Sequence, residues 1–355
     1  MTRILMIGLK NGENLGDVII NDCTVYLVRN ILEELEYTDY EIISIDMMDE
    51  DYSIIDNADL VIFTGGGIIK YKYQKFYQYI DEITNLAKQK GVQVIFNAVG
   101  VEGYDENDDN CLRLRHAINR SCVKQITTRD DIDLLKERYI YNDNIFIQKV
   151  ADSAVWTPEV YGIEKNDNNI IGLGVIREGI FKSNGIDLGL SELLELWSSI
   201  IKELESHGEE WQIFTTGWPS DMKFAINLMK YIGRDAEIET KVVKRPIKAQ
   251  ELARTISNYK GIIAGRLHAN IISYSLNIPS IGIVWNDKCT FWGNNIGFPE
   301  RFFKHDNFNG KTIVDECMNA IKVGYHEEHR NSYKMTVYNS LKHFLKQFLN
   351  INTNM

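Results

Sequence analysis

The stretch GIIAGRLHANIISYSL, residues 261–276, decides the fold class of this chain. Its first part, Gly261–Ala264, is a short apolar run typical of a buried strand, and Asn270–Leu276 has the pattern of a helix. Arg266 and His268 therefore stand where a strand passes into the N-terminus of a helix. Open α/β sheets bind ligands at such positions, where the free N–H groups and the helix dipole favour an anion.

Arg266 and His268 add specific chemistry to this position. A guanidinium group can hold a carboxylate or a phosphate through two parallel hydrogen bonds. An imidazole takes up and releases a proton near neutral pH. Together the two side chains predict a site that binds an anion and transfers a proton.

Strand and helix signals alternate through the first half of the chain. The clearest helix runs from Asp17 to about Leu35, with Asp17 as a cap or first-turn residue. Alternation of this kind predicts βαβ units and a largely parallel sheet. The predicted strands are Ile4–Gly8, Glu41–Ile45, Leu60–Phe63, Val92–Asn97, Gln125–Thr128 and Ile145–Val150.

A polar segment with proline and glycine, residues 156–169, predicts a linker, after which the alternation resumes. The predicted strands are Ile170–Ile176, Trp211–Thr215, Glu239–Val243, Gly261–Ala264 and Pro279–Trp285. The predicted helices are Ser191–Ser206, Pro219–Tyr231, Gln250–Asn258 and the amphipathic Ser332–Phe348. We expect the last helix to pack back on the first domain; the alternative is a helix at a membrane surface.

The pattern predicts an α/β protein with two Rossmann-like domains facing a cleft, which suits a length of 355 residues. The predicted divisions are 1–156, 170–330 and a C-terminal crossover helix over 331–355. The first strand is not followed by a G-x-G-x-x-G fingerprint, and no Walker A sequence occurs. NAD-dependent enzymes and P-loop kinases are therefore disfavoured.

Composition and charge restrict the partners. The net charge of −11 argues against nucleic acid as a partner. No apolar run approaches the roughly 20 residues of a membrane span, so we expect a cytoplasmic protein whose membrane contact is at most peripheral. The five cysteines show no CxxC pair or zinc-type spacing and are expected to be reduced, mostly buried thiols. They are Cys23, Cys111, Cys122, Cys289 and Cys317.

Candidate site residues in the first half follow predicted strands. They are Asn14, Gly16, Asp17, Gly65, Gly66, Gly67, Arg129, Asp130 and Asp152. The loop around Asn14 could be a simple turn, and the glycine triplet could supply backbone freedom or let N–H groups approach a ligand. Arg129 and Asp130 could pair with each other. An acid such as Asp17 could instead accept a proton from a substrate hydroxyl.

In the second half, Arg177 and Lys288 also follow predicted strands. Both are expected at the same sheet edge as Arg266 and His268. Each cation could be a solvated surface group. Three cations and a histidine at one edge, in a chain of net charge −11, instead predict a pocket for a small, multiply charged anion. Trp218 could stack on a sugar ring.

In their order along the chain, these residues resemble the polysaccharide pyruvyl transferase family, and the Gly-Arg-Leu-His element is the most specific of them. The matching elements are Asn14–Asp17, Gly65–Gly67, Arg129–Asp130, Asp152, Arg177, Gly265–His268 and Lys288. Two positions depart from the family pattern. Val18 stands where the family often has Glu, and Ile68 follows the glycine triplet where an aromatic residue is common.

The resemblance implies a glycosyltransferase B-type fold, phosphoenolpyruvate as donor and a sugar as acceptor. The product would be a pyruvate ketal in a capsule, exopolysaccharide or cell-wall glycan of the bacterial cell envelope. Acceptors in such pathways are often lipid-linked oligosaccharides at the inner membrane face. The expected donor-binding residues are Gly265, Arg266, Leu267, Arg177 and Lys288.

Ketal formation needs an acid for the methylene carbon and a base for the sugar hydroxyls. His268 is the expected acid, and Asp17, or in second place Asp152, is the expected base. No metal or organic cofactor is expected, with phosphoenolpyruvate as co-substrate. One alternative is a nucleotide-sugar glycosyltransferase of the same fold, in which Arg266 and Lys288 bind a diphosphate. Another is a non-catalytic subunit of glycan assembly.

Overall fold

Short apolar runs of the sequence become strands of two parallel sheets. The computed structural model describes residues 1–49, 51–166 and 168–351. The strands of the first sheet are β1 (Thr2–Gly8), β2 (Tyr40–Asp46), β3 (Leu60–Phe63), β4 (Gly66–Lys70), β5 (Gln93–Glu102), β6 (Val123–Thr128) and β7 (Phe146–Lys149). The strands of the second sheet are β8 (Ile170–Gly174), β9 (Glu210–Phe214), β10 (Gly261–Ala264), β11 (Ser280–Ile283) and β12 (Phe302–Phe303).

Helices connect these strands in both sheets. Their bounds in the first half are α1 (Leu15–Glu34), α2 (Phe76–Lys90), α3 (Asp109–Ile118), α4 (Ile132–Leu134) and α5 (Thr157–Tyr161). In the second half they are α6 (Gly179–Lys182), α7 (Leu190–Ser206), α8 (Pro219–Tyr231), α9 (Ile238–Lys241), α10 (Ala249–Ser257), α11 (Leu267–Ser275), α12 (Asp287–Asn295), α13 (Gly310–Val323) and α14 (Glu327–Phe348).

Both sheets consist of parallel strands whose order in the sheet differs from their order along the chain. Over the described residues, the first sheet has the order β2-β1-β3-β5-β6-β7, with β4 paired to β5, and the second has β12-β11-β10-β8-β9. The neighbouring strands pair in parallel, as between β8 and β10. All four residues of β3, β10 and β11 are buried, as expected for strands covered on both faces. The predicted α/β class with parallel sheets is confirmed.

The described chain divides into two units. The first contains Met1–Gly12, Asp17–Ser153 and the chain from Asn331, and the second contains Glu13–Gly16 and Ala154–Arg330. Residues 352–355 of the predicted segment 331–355, and Asp167 of the predicted linker, lie outside the described residues. The rest of that linker is not wholly irregular, because it contains α5.

The C-terminal helix packs in the first unit, as predicted. Its apolar residues recur every three or four positions from Val337 to Leu345 and are buried. The Thr336 hydroxyl accepts a hydrogen bond from the Ala151 backbone N–H at 2.8 Å. Lys342 also forms an ion pair with Glu34 of α1 at 2.5 Å. None of the described helices is long and apolar enough to cross a membrane.

Three elements differ from the prediction. Glu239–Val243 is not a strand: Ile238–Lys241 forms one helical turn, and only Val242 bridges to Ile213 of β9. Strand β4 begins with two glycines, and β12 has only two residues, so neither carries a strand pattern in the sequence.

Candidate active site

The carboxyl edge of the second sheet gathers the predicted donor residues. Arg177 follows β8, Arg266 follows β10, and Lys288 follows β11. These three strands are neighbours in the sheet and run parallel. Their carboxyl ends therefore lie side by side, at the edge where α/β sheets place ligands.

Gly265 shapes the junction between β10 and α11. A Cβ at this position would lie 3.0 Å from the Ile176 Cβ and nearer still to its Cγ2. The Gly265 N–H donates to the Gly174 carbonyl at 2.9 Å, and its carbonyl accepts from Trp285 Nε1 at 2.7 Å. Glycine thus lets the chain turn closely against the end of β8 before Arg266.

Arg266 is held by a carboxylate that the sequence reading did not single out. Asp221 Oδ2 accepts from Arg266 Nε at 2.8 Å, and Asp221 Oδ1 accepts from Arg266 Nη2 at 3.0 Å. Asp221 lies in the first turn of α8 and is fully buried. An acid in the first turn of a helix that follows a strand was the available signal for it.

Trp218 contacts guanidinium groups in this structure. The Arg177 guanidinium carbon lies 5.9 Å from the centroid of the indole ring, and that of Arg266 lies 5.7 Å from it. Both distances are within the range of cation–π attraction. Trp218 therefore borders the two predicted donor arginines.

His268 is the second residue of α11 and is 8% exposed. Its neighbour Leu267 is equally buried. The His268 ring packs against Gly16, which belongs to the same unit. A Cβ on Gly16 would lie 2.6 Å from the His268 Cβ and closer to Cγ and Nδ1. The segment Glu13–Gly16, which includes Asn14, thus covers the predicted acid.

Lys288 is the second residue of α12 and is half-buried. Its neighbour Cys289 is buried, and burial raises the pKa of that thiol to about 11. The thiol therefore stays protonated near neutral pH and is a poor nucleophile.

Neither α11 nor α12 is capped by a side chain at its N-terminus. Backbone N–H groups there favour an anion.

Arg129 and Asp152 form a buried ion pair in the first unit. Arg129 is 6% exposed and Asp152 is 1% exposed. Burial by itself lowers the pKa of the guanidinium, but the charges of Asp152, Asp130 and Asp17 raise that pKa above its ordinary value. Asp152 thus pairs with Arg129, which favours Asp17 over Asp152 as the base.

Asp130 accepts hydrogen bonds from its own loop and from β5. Its Oδ1 accepts from the backbone N–H groups of Val101 and Asp131, both at 2.9 Å, and from the Thr128 hydroxyl at 3.1 Å. These bonds tie the ends of β5 and β6 together. Through these hydrogen bonds Asp130 stabilises the loop that follows β6.

The glycine triplet has both close contacts and unusual backbone angles. Gly65 and Gly66 have φ values of +132° and +85°, which side chains rarely adopt. A Cβ on Gly65 would lie 2.6 Å from Ile20 Cγ2, and one on Gly66 would lie 3.7 Å from Asp17 Oδ1. A Cβ on Gly100 would lie only 3.1 Å from the Gly67 Cα. The triplet therefore permits a tight path beside Asp17.

One group of described side chains has the composition of a metal site. Glu203 and His207 of the α7 end and Asp315 of α13 place ligand atoms within 4.8 Å of one another. His207 Nδ1 lies 2.9 Å from the Glu203 carbonyl oxygen. His207 and Asp315 are exposed, and the group does not include a strand end. The sequence reading did not identify it.

The fold is of the glycosyltransferase B type, as comparison with solved structures shows. UDP-GlcNAc 2-epimerase from Methanocaldococcus jannaschii has a TM-score of 0.61 at 12% identity, covering 97% of this chain and 99% of that chain. S. aureus MnaA in its structure with UDP has a TM-score of 0.60 at 11% identity, covering 100% and 98%. A glycosyltransferase from Rickettsia africae ESF-5 has 0.53 at 12%, covering 99% of each. Identities this low show the fold alone.

Residues 14–287 match the polysaccharide pyruvyl transferase family model. The chain belongs to this family. No match was found among the curated proteins. The matched range includes each candidate residue except Lys288, which follows it directly.

Proposed function

We propose that this protein transfers the enolpyruvyl group of phosphoenolpyruvate to a sugar and closes it into a pyruvate ketal. The acceptor sugar would belong to a capsule, exopolysaccharide or cell-wall glycan. Family membership supports the class of transferase. The observation that carries the proposal is one sheet edge that combines Arg177, Arg266 and Lys288 with the buried His268.

The donor suits this edge electrostatically. Phosphoenolpyruvate carries a carboxylate and a phosphate, about three negative charges near neutral pH. Two guanidinium groups and one ammonium, less the charge of the Asp221 carboxylate that pairs with Arg266, offset most of these charges through charge-assisted hydrogen bonds. Because the whole chain carries a net charge of −11, local positive charge has to attract the donor.

The proposed reaction balances without a metal ion or an organic cofactor. His268 gives a proton to the methylene carbon, which becomes a methyl group, while a sugar hydroxyl oxygen bonds to the central carbon. Asp17 accepts the proton of that hydroxyl. The C–O bond to phosphate then breaks, and a second sugar hydroxyl adds to the same carbon. Its proton leaves with the phosphate, so the products are the ketal and hydrogen phosphate. The proton on Asp17 then passes to solvent and His268 takes one up, which restores both groups.

The carboxyl edge of the first sheet is proposed to serve the acceptor. Asp17 and the glycine triplet lie there, and Arg129, which follows β6, pairs with Asp152. Because glycine has no side chain, a ligand can approach the backbone N–H and C=O groups closely, and these groups can bind sugar hydroxyls. A lipid-linked oligosaccharide at the inner membrane face is the proposed form of the acceptor, which would bring a cytoplasmic enzyme into peripheral membrane contact.

Thermal unfolding with millimolar phosphoenolpyruvate, inorganic phosphate and UDP-sugars tests the donor. A ligand at about 100 times its Kd stabilises a protein by roughly 2.7 kcal/mol, which gives a readable shift. We expect selective protection by phosphoenolpyruvate that is lost in Arg266→Ala. Arg234→Ala is the control, because Arg234 forms an ion pair with Glu205 and follows a helix instead of a strand. Protection by a UDP-sugar without protection by phosphoenolpyruvate would instead support the glycosyltransferase alternative.

Release of inorganic phosphate with a panel of sugar acceptors tests the transfer itself. Mass spectrometry of the acceptor should show the added pyruvate ketal. Donor binding without turnover on lipid-linked and free acceptors would support a non-catalytic subunit.

A further inference from the structure

We propose that Asp221 is a positioning residue that fixes Arg177 and Arg266 for the donor anion, with Trp218 and Ser220 as its supports. These three residues belong to the turn at the start of α8. The inference rests on the proposed function for the identity of the anion. The inference assigns a positioning role to residues that need not contact the anion themselves.

Asp221 joins the ends of two neighbouring strands. Its two oxygens accept from Arg266, which follows β10, at 2.8 and 3.0 Å. Its Oδ1 also accepts from the backbone N–H of Arg177, which follows β8, at 3.1 Å. One fully buried carboxylate therefore sets the position of both segments that carry the arginines.

The pairing leaves Arg266 oriented and still able to bind. A guanidinium group has five N–H donors in a rigid plane. The bonds to Asp221 use the Nε donor and one Nη2 donor. Three donors remain on the far side of the group for another anion. Because a side-on pair with a carboxylate fixes the plane of the guanidinium, the direction of these donors is fixed as well.

Arg177 is held by the same turn. The Ser220 hydroxyl accepts from Arg177 Nη1 at 2.7 Å, and the Trp218 ring lies beside its guanidinium carbon. The guanidinium of Arg266 lies beside the same ring. Two like charges near one indole repel each other, and the buried negative charge of Asp221 offsets this repulsion. Without Asp221 the two arginines would separate or turn toward water.

Binding measurements on a double-mutant cycle test this proposal. The proteins are wild type, Asp221→Asn, Arg266→Ala and the double variant, each titrated calorimetrically with phosphoenolpyruvate. Asparagine keeps the shape of aspartate but turns an amide N–H or a single neutral oxygen toward the arginine. We expect Asp221→Asn to raise the Kd at least tenfold, and to raise it threefold or less when Arg266 is already alanine.

Glu209→Gln is the matched control. Glu209 pairs with Lys260 in the same unit, at the amino ends of β9 and β10, and both are largely buried. It should lower the melting temperature without raising the Kd more than twofold. A purely structural role of Asp221 would likewise lower only the melting temperature, and that result would overturn the proposal. So would an equal penalty from Asp221→Asn in both backgrounds.

Ser220→Ala gives a second reading if Asp221→Asn folds poorly. It frees Arg177 Nη1 without changing any charge. The KM for phosphoenolpyruvate should rise at least threefold while kcat stays within twofold, and an unchanged KM would contradict the positioning role. A wild-type protein that binds inorganic phosphate or a UDP-sugar but not phosphoenolpyruvate refutes the proposed donor, and the same cycle is then read with that anion. A wild type that binds none of them refutes both proposals.

Discussion

Gly16 and His268 are packed so closely that no side chain fits between them. A Cβ on Gly16 would fall 2.6 Å from the Cβ of His268 and nearer to its ring. Cβ contacts under 3.0 Å essentially never occur. The segment that contains Gly16 therefore limits the space in which the imidazole lies. A larger residue at position 16 would displace the proposed acid by steric contact.

Gly16→Ala should inactivate the enzyme while leaving donor binding in place. The added methyl forces the His268 ring or the segment to move, and displacements of about 1 Å can reduce rates by about a hundredfold. Steady-state kinetics with phosphoenolpyruvate should show this loss in kcat. Gly189→Ala is the control, since its Cβ meets only the end of the Glu192 side chain. Full activity of Gly16→Ala would remove the constraint inferred here.

His268→Gln should abolish turnover and keep the fold. Glutamine retains a polar side chain of similar length but cannot exchange a proton near neutral pH. We expect kcat to fall by about two to four orders of magnitude, the usual contribution of a positioned acid. Calorimetry should show a Kd for phosphoenolpyruvate within a few-fold of the wild-type value. Turnover at a near-normal rate would rule out His268 as the acid.

Arg177→Gln and Lys288→Gln should each weaken donor binding. A hydrogen bond to a charged group contributes about 1.5–3 kcal/mol, which corresponds to about tenfold to a hundredfold in KM. We expect kcat to change much less, because these contacts are present in the bound substrate as well as in the transition state. Lys311→Gln serves as control, since Lys311 is 68% exposed and pairs with Asp315 on the surface. Unchanged KM in both variants would place the donor elsewhere.

Asp152→Asn should destabilise the first unit rather than act on proton transfer. Removing one partner of a buried ion pair costs about 3–5 kcal/mol, because the remaining charge is left uncompensated. Urea denaturation should show this loss, and Arg129→Met combined with Asp152→Leu should recover part of it. Glu41→Gln, in the exposed pair with Arg3 of the same unit, is the milder control. Loss of activity at unchanged stability would return Asp152 to the list of bases.

The strand ends that carry the site were predictable from the sequence, and their partners were not. Gly261–Ala264 is an uninterrupted apolar run, so β10 and the positions of Arg266 and His268 followed from local pattern. Asp221 lies 45 residues before Arg266, and only the packing of α8 against the sheet edge brings the two together. Likewise, nothing around Gly16 shows that a histidine ring lies against it.

The wrong assignment over Glu239–Val243 has a similar cause. Val242 and Val243 favour a strand, yet Ile238–Lys241 closes one helical turn and leaves a single bridge to β9. Strand propensity describes how a side chain fits a pleated surface, so it depends on neighbours that the sequence does not show. Strand β4 illustrates the reverse case, because pairing with β5 outweighs the poor propensity of Gly66 and Gly67.

The five cysteines allow local unfolding to be measured in each unit by chemical labelling. All five are buried thiols, with Cys23, Cys111 and Cys122 in the first unit and Cys289 and Cys317 in the second. Burial raises the pKa of Cys317 to about 12, and that of Cys111 and Cys122 is raised as well. An alkylating reagent can therefore react with them only when the surrounding structure opens. Mass spectrometry of the labelled peptides would resolve the local stability of the two units separately, in the unmodified protein and without an added fluorophore.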